Sequence, residues 1–438
     1  MDMTRTRRTI LVLILLCGGI SVVWGSFLAH ISPYGMGDFK GVYNGARCLL
    51  QHGDPYKEDE PLRALRVYQA EGGGRPRHSD ALQQILTLNV YFPATFIIIA
   101  PFAMLPWGLA CLLWMSLTAG VYILAALLMW NLGADSAPVL SGGLICFVLA
   151  NSEILIATGN AAGIAVSLCL VAVWCFFRER FVPAGILCLA VSLALKPHDA
   201  GLVWLYLLLA GGVCRRRALQ TFLVTVVLGL ASILWITPVA PHWMQELHSI
   251  LLAASAPGGP SNPGPTSPAG GNGANMIIDL QSAISVFRDD PRFYNWVTYL
   301  VCGALLLVWS IRTLRLRFSQ RRAWLALAAV LPLTMLVSYH RPYDAKLLLL
   351  AVPACAMLWA EDGPVRWVAL LVTTAAIVYT GDITLTILKI LTNNLHLSTA
   401  GLSGQILTTV LTRPGPLILL AMCIFYLWAY LRRDSERG

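Results

Sequence analysis

Apolar residues fill this chain in long runs, and the polar positions between them fall into a few short clusters. The first run covers residues 9–29, behind Arg5, Arg7 and Arg8. It matches the ~20 residues that cross a bilayer, and its basic flank places the N-terminus in the cytoplasm. A cleaved signal peptide is the rival reading, but the run is long and leads straight into an amphipathic segment. In that segment Phe39, Val42, Tyr43, Ala46, Leu49 and Leu50 repeat at helical spacing, while Lys40, Asn44, Arg47 and Gln51 take the other face. The pattern predicts a helix in the membrane interface, starting near Asp38. Gly53 is placed to end it in a left-handed cap, and Asp54-Pro55 to turn the chain.

Beyond residue 89 the runs are broken by proline and by polar triplets. Pro101 and Pro106 divide the stretch after Tyr91-Phe92-Pro93 into two spans. Asn151-Ser152-Glu153 interrupts the next run, 138–157, which predicts a re-entrant or half-length segment lining a wet or protein-filled site. Basic clusters at Arg178-Glu179-Arg180, Arg215-Arg216-Arg217, 312–322 and Arg432-Arg433 are expected inside. Alternation then places Gly159-Asn160, Lys196-Pro197-His198-Asp199, Tyr339-His340-Arg341-Pro342-Tyr343-Asp344 and residues 381–415 outside. The outcome is an all-α polytopic membrane protein of about twelve transmembrane helices, both termini inside. It forms one integral domain over residues 1–438, with external loops at 31–88 and 239–292 that carry interfacial helices.

Composition agrees. The chain of 438 residues is 57% hydrophobic and 12% charged, with a mean hydropathy of +0.68, against about 25% charged in soluble domains. The net charge of +9 therefore reads as loop asymmetry and contact with membrane lipids, not as a nucleic-acid surface. Most of the eleven cysteines lie inside apolar runs, and Cys48 is the clearest loop cysteine, so no disulfide framework is expected. The loop 31–88 holds seven acidic and seven basic residues around a flexible turn region, Glu71-Gly72-Gly73-Gly74-Arg75-Pro76. The loop 239–292 is rich in Pro, Gly and Ser from Ala256 to Asn275 and should be mobile. Its apolar Met276, Ile277, Ile278, Leu280, Ile284 and Phe287 suggest a second interfacial helix carrying Gln281 and Ser282, either a surface linker or a lid over substrate.

The charged residues at span ends carry the candidate chemistry. Asp38 has two readings: an N-cap of the interfacial helix, or a catalytic base at the membrane surface. Lys196 reads either as a snorkelling anchor or as a phosphate ligand, and Arg341 with Asp344 as a structural pair or part of the same site. Lys, Arg and His gathered on one side suit an anionic lipid phosphate, since Arg offers a fork and Lys a point charge. No acidic pair at metal-binding spacing stands out, so no metal and no cofactor are assigned.

The order Asp38-Phe39…Tyr43…Gly53-Asp54-Pro55-Tyr56, Tyr91-Phe92-Pro93…Pro101…Leu105-Pro106, Gly159-Asn160, Lys196-Pro197 and Tyr339-His340…Tyr343-Asp344 resembles glycosyltransferase family 87 over most of the chain. These are polyprenyl-phosphate-mannose-dependent mannosyltransferases of GT-C architecture. The chain departs from the family in having Gly159 and Asn160 adjacent, without an intervening Gln, and His198-Asp199 where Gln often follows Lys-Pro. The resemblance implies transfer of a hexose, mannose first, from a polyprenyl-phosphate donor to a lipid or glycan acceptor at the external face of the cell membrane. It implies Asp38 as general base, and a donor site drawn from Lys196, His340, Arg341, Asp344, Asn160 and His198. Two other classes stay open: a lipid or sugar transporter or flippase, which should show repeated halves, and a non-catalytic scaffold, which has no need to sort these residues to one side.

Overall fold

Helices account for all the regular structure: no strand occurs among the described residues. The computed structural model describes residues 3–32, 35–57, 89–257, 259–265, 276–394 and 401–432. The chain begins α1 (Met3–Ile31), α2 (Gly37–Leu50), α3 (Pro93–Ala103), α4 (Trp107–Gly133), α5 (Pro138–Ala150) and α6 (Glu153–Thr158). It continues α7 (Ala162–Phe177), α8 (Val182–Leu195), α9 (Pro197–Leu209), α10 (Gly212–Ile236), α11 (Trp243–Ser255) and α12 (Leu280–Ile284). After α13 (Pro291–Arg315) and α14 (Gln320–Leu336) comes a 3-10 segment, Asp344–Leu350, then α15 (Ala351–Ala360), α16 (Val365–Tyr379), α17 (Asp382–Asn394), α18 (Gly401–Thr412) and α19 (Pro414–Leu431). The flexible turn region expected at 71–76 and most of the segment expected to be mobile, residues 258 and 266–275, lie outside the described residues.

Five helices, α1, α4, α10, α13 and α19, are long and apolar enough to cross a membrane, and α16 with α17, bent by 67°, makes up to six. α3, α5, α7 and α8 are equally apolar but shorter. The 16 residues of α7 give about 24 Å, less than the ~30 Å hydrocarbon core. These short helices are where the helix lengths and the expected twelve spans part. The outer faces are apolar: Leu16, Ile20 and Val23 on α1, Leu223 and Leu234 on α10, and Leu300 and Leu307 on α13 are all exposed, as a chain solvated by lipid requires. α14 is buried on every side from Ala323 to Leu336, which marks an apolar-all-round helix as the centre of the packing.

The breaks are where the sequence put them, and each is chemically satisfied. α5 stops at Asn151, and α6 restarts at Glu153. The freed backbone groups find partners: Lys346 donates to the Asn151 carbonyl, and the Ile154 N–H donates to Asp382 Oδ2 at 2.9 Å. Lys346 and Asp382 are themselves 3.3 Å apart and buried. Irregular backbone at this depth persists only with such partners.

α2 differs from the expectation of a helix lying on one face. Ten of its fourteen residues are buried, including Asn44 from the face expected to be polar. α3 and the aromatic residues at the start of α4 cover it. Phe39 stacks on Trp114 with ring centroids 4.8 Å apart and on Trp107 at 5.6 Å. Tyr43 donates to the Leu105 carbonyl at 2.7 Å. Gly45 packs so close to α3 that a Cβ there would come within 2.6 Å of Phe96. The cap also differs: His52, not Gly53, takes the left-handed conformation, with φ 59°. Cys48, read as a loop cysteine, is buried within α2.

Candidate active site

Asp38 occupies the first turn of α2, and the residue at the N-cap is Met36, in the left-handed region with φ 54°. The N-cap reading of Asp38 is therefore corrected. Its carboxylate reaches across to another element and accepts from Asn160 Nδ2 at 2.8 Å. Asn160 is held in turn, because its Oδ1 accepts the Ala162 N–H at 2.8 Å at the start of α7. Gly159, φ 64°, makes this approach possible, since a Cβ there would meet Met36 and Phe39 side-chain atoms at 2.9 Å and the conformation itself favours glycine. The Met36 N–H donates to Ala157 O at 2.7 Å, and Trp114 Nε1 donates to Gly159 O at 2.8 Å. The start of α2 is thus pinned to the α6–α7 turn.

The other residues converge from two breaks. Lys196 sits between α8 and α9, where Pro197 opens the second helix. Its ammonium is buried, 2.5 Å from Asp344 Oδ1 and 3.8 Å from Asp199 Oδ2, and lies 5.1 Å from the centre of the Tyr343 ring. That excludes the snorkelling reading. Burial opposes its charge, but Asp199 and Asp344 outweigh burial and hold its pKa above the ordinary lysine value. Asp344 also accepts the Arg341 N–H at 2.8 Å. His340 is fully buried, donates through Nδ1 to Ser338 O at 2.8 Å, and places Nε2 3.3 Å from Asp199 Oδ1. His198 Nε2 is 3.8 Å from the same oxygen, and its ring lies edge-on to His340 with centroids 4.9 Å apart.

Arg341 closes the circle. Its Nε donates to the Tyr339 hydroxyl and its Nη2 to Pro260 O at 3.3 Å. Of the five guanidinium donors, three N–H groups remain without a partner among the described residues. Asp38 is close enough to act electrostatically on Arg341, Tyr339, Tyr343 and Tyr91. The seven residues singled out from the sequence, Asp38, Asn160, Lys196, His198, His340, Arg341 and Asp344, thus stand in one neighbourhood. Asp199 joins them, within 3.8 Å of Lys196, His198 and His340. Its signal was its position beside His198, but its partner His340 lies far along the chain, so spacing does not reveal the contact.

The segment 239–292 closes over this neighbourhood. Ile278 N–H donates to His340 O at 3.0 Å, and Ile277, Ile278, Leu280 and Ser282 are buried. The helix expected there is only the five residues of α12; the longer α11, Trp243–Ser255, was not expected. Arg413, at the start of α19, donates to Pro263 O at 3.0 Å and to Ser282 O, which fixes this loop in place. Burial lowers the Arg413 pKa to about 10. These tied residues are neither a free linker nor an isolated interfacial helix.

Residues 89–338, more than half of the chain, match the family model for glycosyltransferase family 87. The chain belongs to glycosyltransferase family 87. It is a membrane glycosyltransferase, and its substrates are a sugar donor and an acceptor. No curated protein and no solved structure matches it. The family 87 match contains Asn160, Lys196 and His198; Asp38 precedes it, and His340, Arg341 and Asp344 follow it. What joins these groups is the contact geometry.

Proposed function

We propose that this glycosyltransferase moves a hexose, mannose first, from a polyprenyl-phosphate donor to a lipid or glycan hydroxyl on the external face of the cell membrane. The observation that carries this reading is the Asp38 carboxylate, held by Asn160 and within electrostatic reach of Arg341, whose guanidinium keeps three donors without a partner among the described residues. Asp38 accepts the proton of the acceptor hydroxyl while that oxygen forms a bond to the anomeric carbon. The bond from this carbon to the phosphate oxygen breaks, and the lipid phosphate leaves with the electron pair. One displacement inverts the anomeric centre through an oxocarbenium-like transition state. Arg341, with Lys196 and the His340–Asp199 pair behind it, stabilises the charge gathering on the leaving phosphate.

The external placement rests on the hairpin of α7 and α8. Asn160 and Lys196 stand at its one end, and Arg178 and Arg180 lie in the turn at its other. Basic loops stay in the cytoplasm, so the opposite end faces out, where a lipid carries the sugar. The architecture this reading implies is GT-C-like.

The test is turnover of radiolabelled polyprenyl-phosphate mannose by the purified full chain, without an ion gradient, with membrane lipids and glycans offered as acceptors. Transfer of label to an acceptor is expected. Arg341→Ala should raise the donor KM about 10–100-fold, as loss of a charge-assisted contact to phosphate does. No consumption of the donor, or an unchanged KM in Arg341→Ala, would sink the reading. Lys196→Ala is the poorer probe, since it strands Asp344 and Asp199 without their cation at a cost of roughly 3–5 kcal/mol.

A further inference from the structure

The ring of His340 is in an unusual position for a neutral histidine. Its Nδ1 is 2.8 Å from a carbonyl oxygen, Ser338 O. A carbonyl only accepts, so Nδ1 carries the proton, and in the neutral ring Nε2 bears the lone pair. Among the described residues Nε2 meets no strict hydrogen-bond geometry, is completely buried, and faces Asp199 Oδ1 at 3.3 Å. In that form two acceptors confront each other here, and His198 Nε2 brings a second ring nitrogen to 3.8 Å from the same oxygen. The ligand atoms of His198, Asp199 and His340 all lie within 4.8 Å of one another.

We infer that His198, Asp199 and His340 form a three-ligand site for a divalent transition-metal ion, zinc or manganese by ligand class. A tetrahedral ion with bonds of about 2.0–2.1 Å sets its ligand atoms about 3.3–3.4 Å apart, which is the His340–Asp199 distance; the partly exposed His198 side chain has to swing inward to reach the same spacing from both. A backbone carbonyl on the far nitrogen of a ligating histidine is the usual way its orientation is fixed. Two imidazoles and one carboxylate suit zinc or manganese better than calcium or magnesium. Three protein ligands leave a fourth position open. The His198 side, 40% exposed, is where it opens.

The role of the ion rests on the donor-phosphate reading above. Around that position stand two fixed cations, Lys196 and Arg341, and three carboxylates, Asp38, Asp199 and Asp344. The fixed set carries one negative charge, and a proton on His340 only cancels it, so it offers no net positive charge to a departing phosphate. A divalent ion reverses the sign and puts a Lewis acid where phosphate charge develops.

The experiment uses the full chain, purified through a tag without histidine, stripped with a chelator and then loaded with zinc or manganese in the absence of donor. Metal per chain is read by mass spectrometry, and cobalt substitution reads ligand geometry by its visible spectrum. About one tightly held ion is expected, with at least ~10-fold weaker binding in His198→Ala. His340→Ala, at a buried position, risks the fold; His198 is partly exposed and keeps the test clean. A wild-type chain that holds no ion after loading, or an equal affinity in His198→Ala, overturns the inference and leaves a proton on His340 Nε2 instead. Turnover that survives stripping while Asp38→Asn is inactive would remove the ion's role and spare the donor reading. Metal binding with full activity in Asp38→Asn would spare the site and remove that reading's base.

Discussion

At the N-terminal end of α2, Asp38 is half-buried and accepts one side-chain hydrogen bond, from Asn160. At the other end Asp54 is 2% exposed, accepts the Tyr56 N–H at 2.9 Å and stands 3.8 Å from Lys57. Asn89 and Tyr56 continue that second network by donating to Pro55 O and Tyr91 O, each at 2.7 Å. Glu246 of α11 leans on the same turn: burial, then the charge of Asp54, raises its pKa. The same residue type flanks one helix, yet Asp54 is buried and commits Oδ1 to the backbone of its own turn. Among the described residues Asp38 makes no local side-chain bond, and it lies within electrostatic reach of Arg341. A carboxylate tied to local backbone builds a turn; one held from a second element and left half open can accept a proton.

The largest expected effect separates the two ends outright. Asp38→Asn keeps the size and the bond geometry but cannot take a proton, so turnover should fall about 10²-fold or more while melting stays near wild type. Full turnover of labelled donor by the purified variant would return Asp38 to a structural role. Asn160→Ala removes the side chain that aims Asp38 and should lower kcat by about 10–100-fold with little change in donor KM, as loss of orientation does. If KM moves and kcat does not, Asn160 contacts the donor instead of positioning the base.

Asp54→Ala should behave in the opposite way. It leaves the Tyr56 N–H without its acceptor and should cost about 1–3 kcal/mol. That would show as a lower melting temperature with kcat near wild type, measured on the same solubilised preparation. A drop in kcat without a drop in melting would mean that this end of α2 also serves chemistry.

How much of this was legible depended on range. Period and punctuation are local, so α2, the break at Asn151-Ser152, the break at Lys196-Pro197 and the proline-divided stretch near Leu105-Pro106 could all be read from neighbours in sequence. The burial of Asn44 could not, because it depends on α3 and the Trp107–Trp114 aromatics arriving from a later segment. Asp199 was invisible as a hub for the same reason: its contact to His340 joins two turns far apart in the chain. Placing the basic loops at the opposite end said that such a meeting was possible. It did not say that Lys196 would be taken up by two carboxylates, which leaves Arg341 as the cation with unpartnered donors among the described residues.

The smallest expected effect tests the cap of α2. His52 is exposed and left-handed, with its N–H donating to Leu49 O at 3.0 Å and the Gly53 N–H donating to Cys48 O at 2.8 Å. A side chain in that conformation costs about 1–2 kcal/mol. Glycine removes this strain but adds about 0.5–1 kcal/mol of unfolded-state freedom. His52→Gly should therefore stabilise by about 0.5–1 kcal/mol, a small rise in melting temperature. Gly53 lies outside the left-handed region, so Gly53→Ala should cost little. Turnover should not respond to either change, since the fourteen residues of α2 put about 20 Å between this cap and Asp38. The opposite pattern, with His52→Gly neutral and Gly53→Ala costly, would move the left-handed position to Gly53. Asp54 would then start its turn one residue further along the cap, and the contrast between the two ends of α2 would have to be redrawn from that geometry.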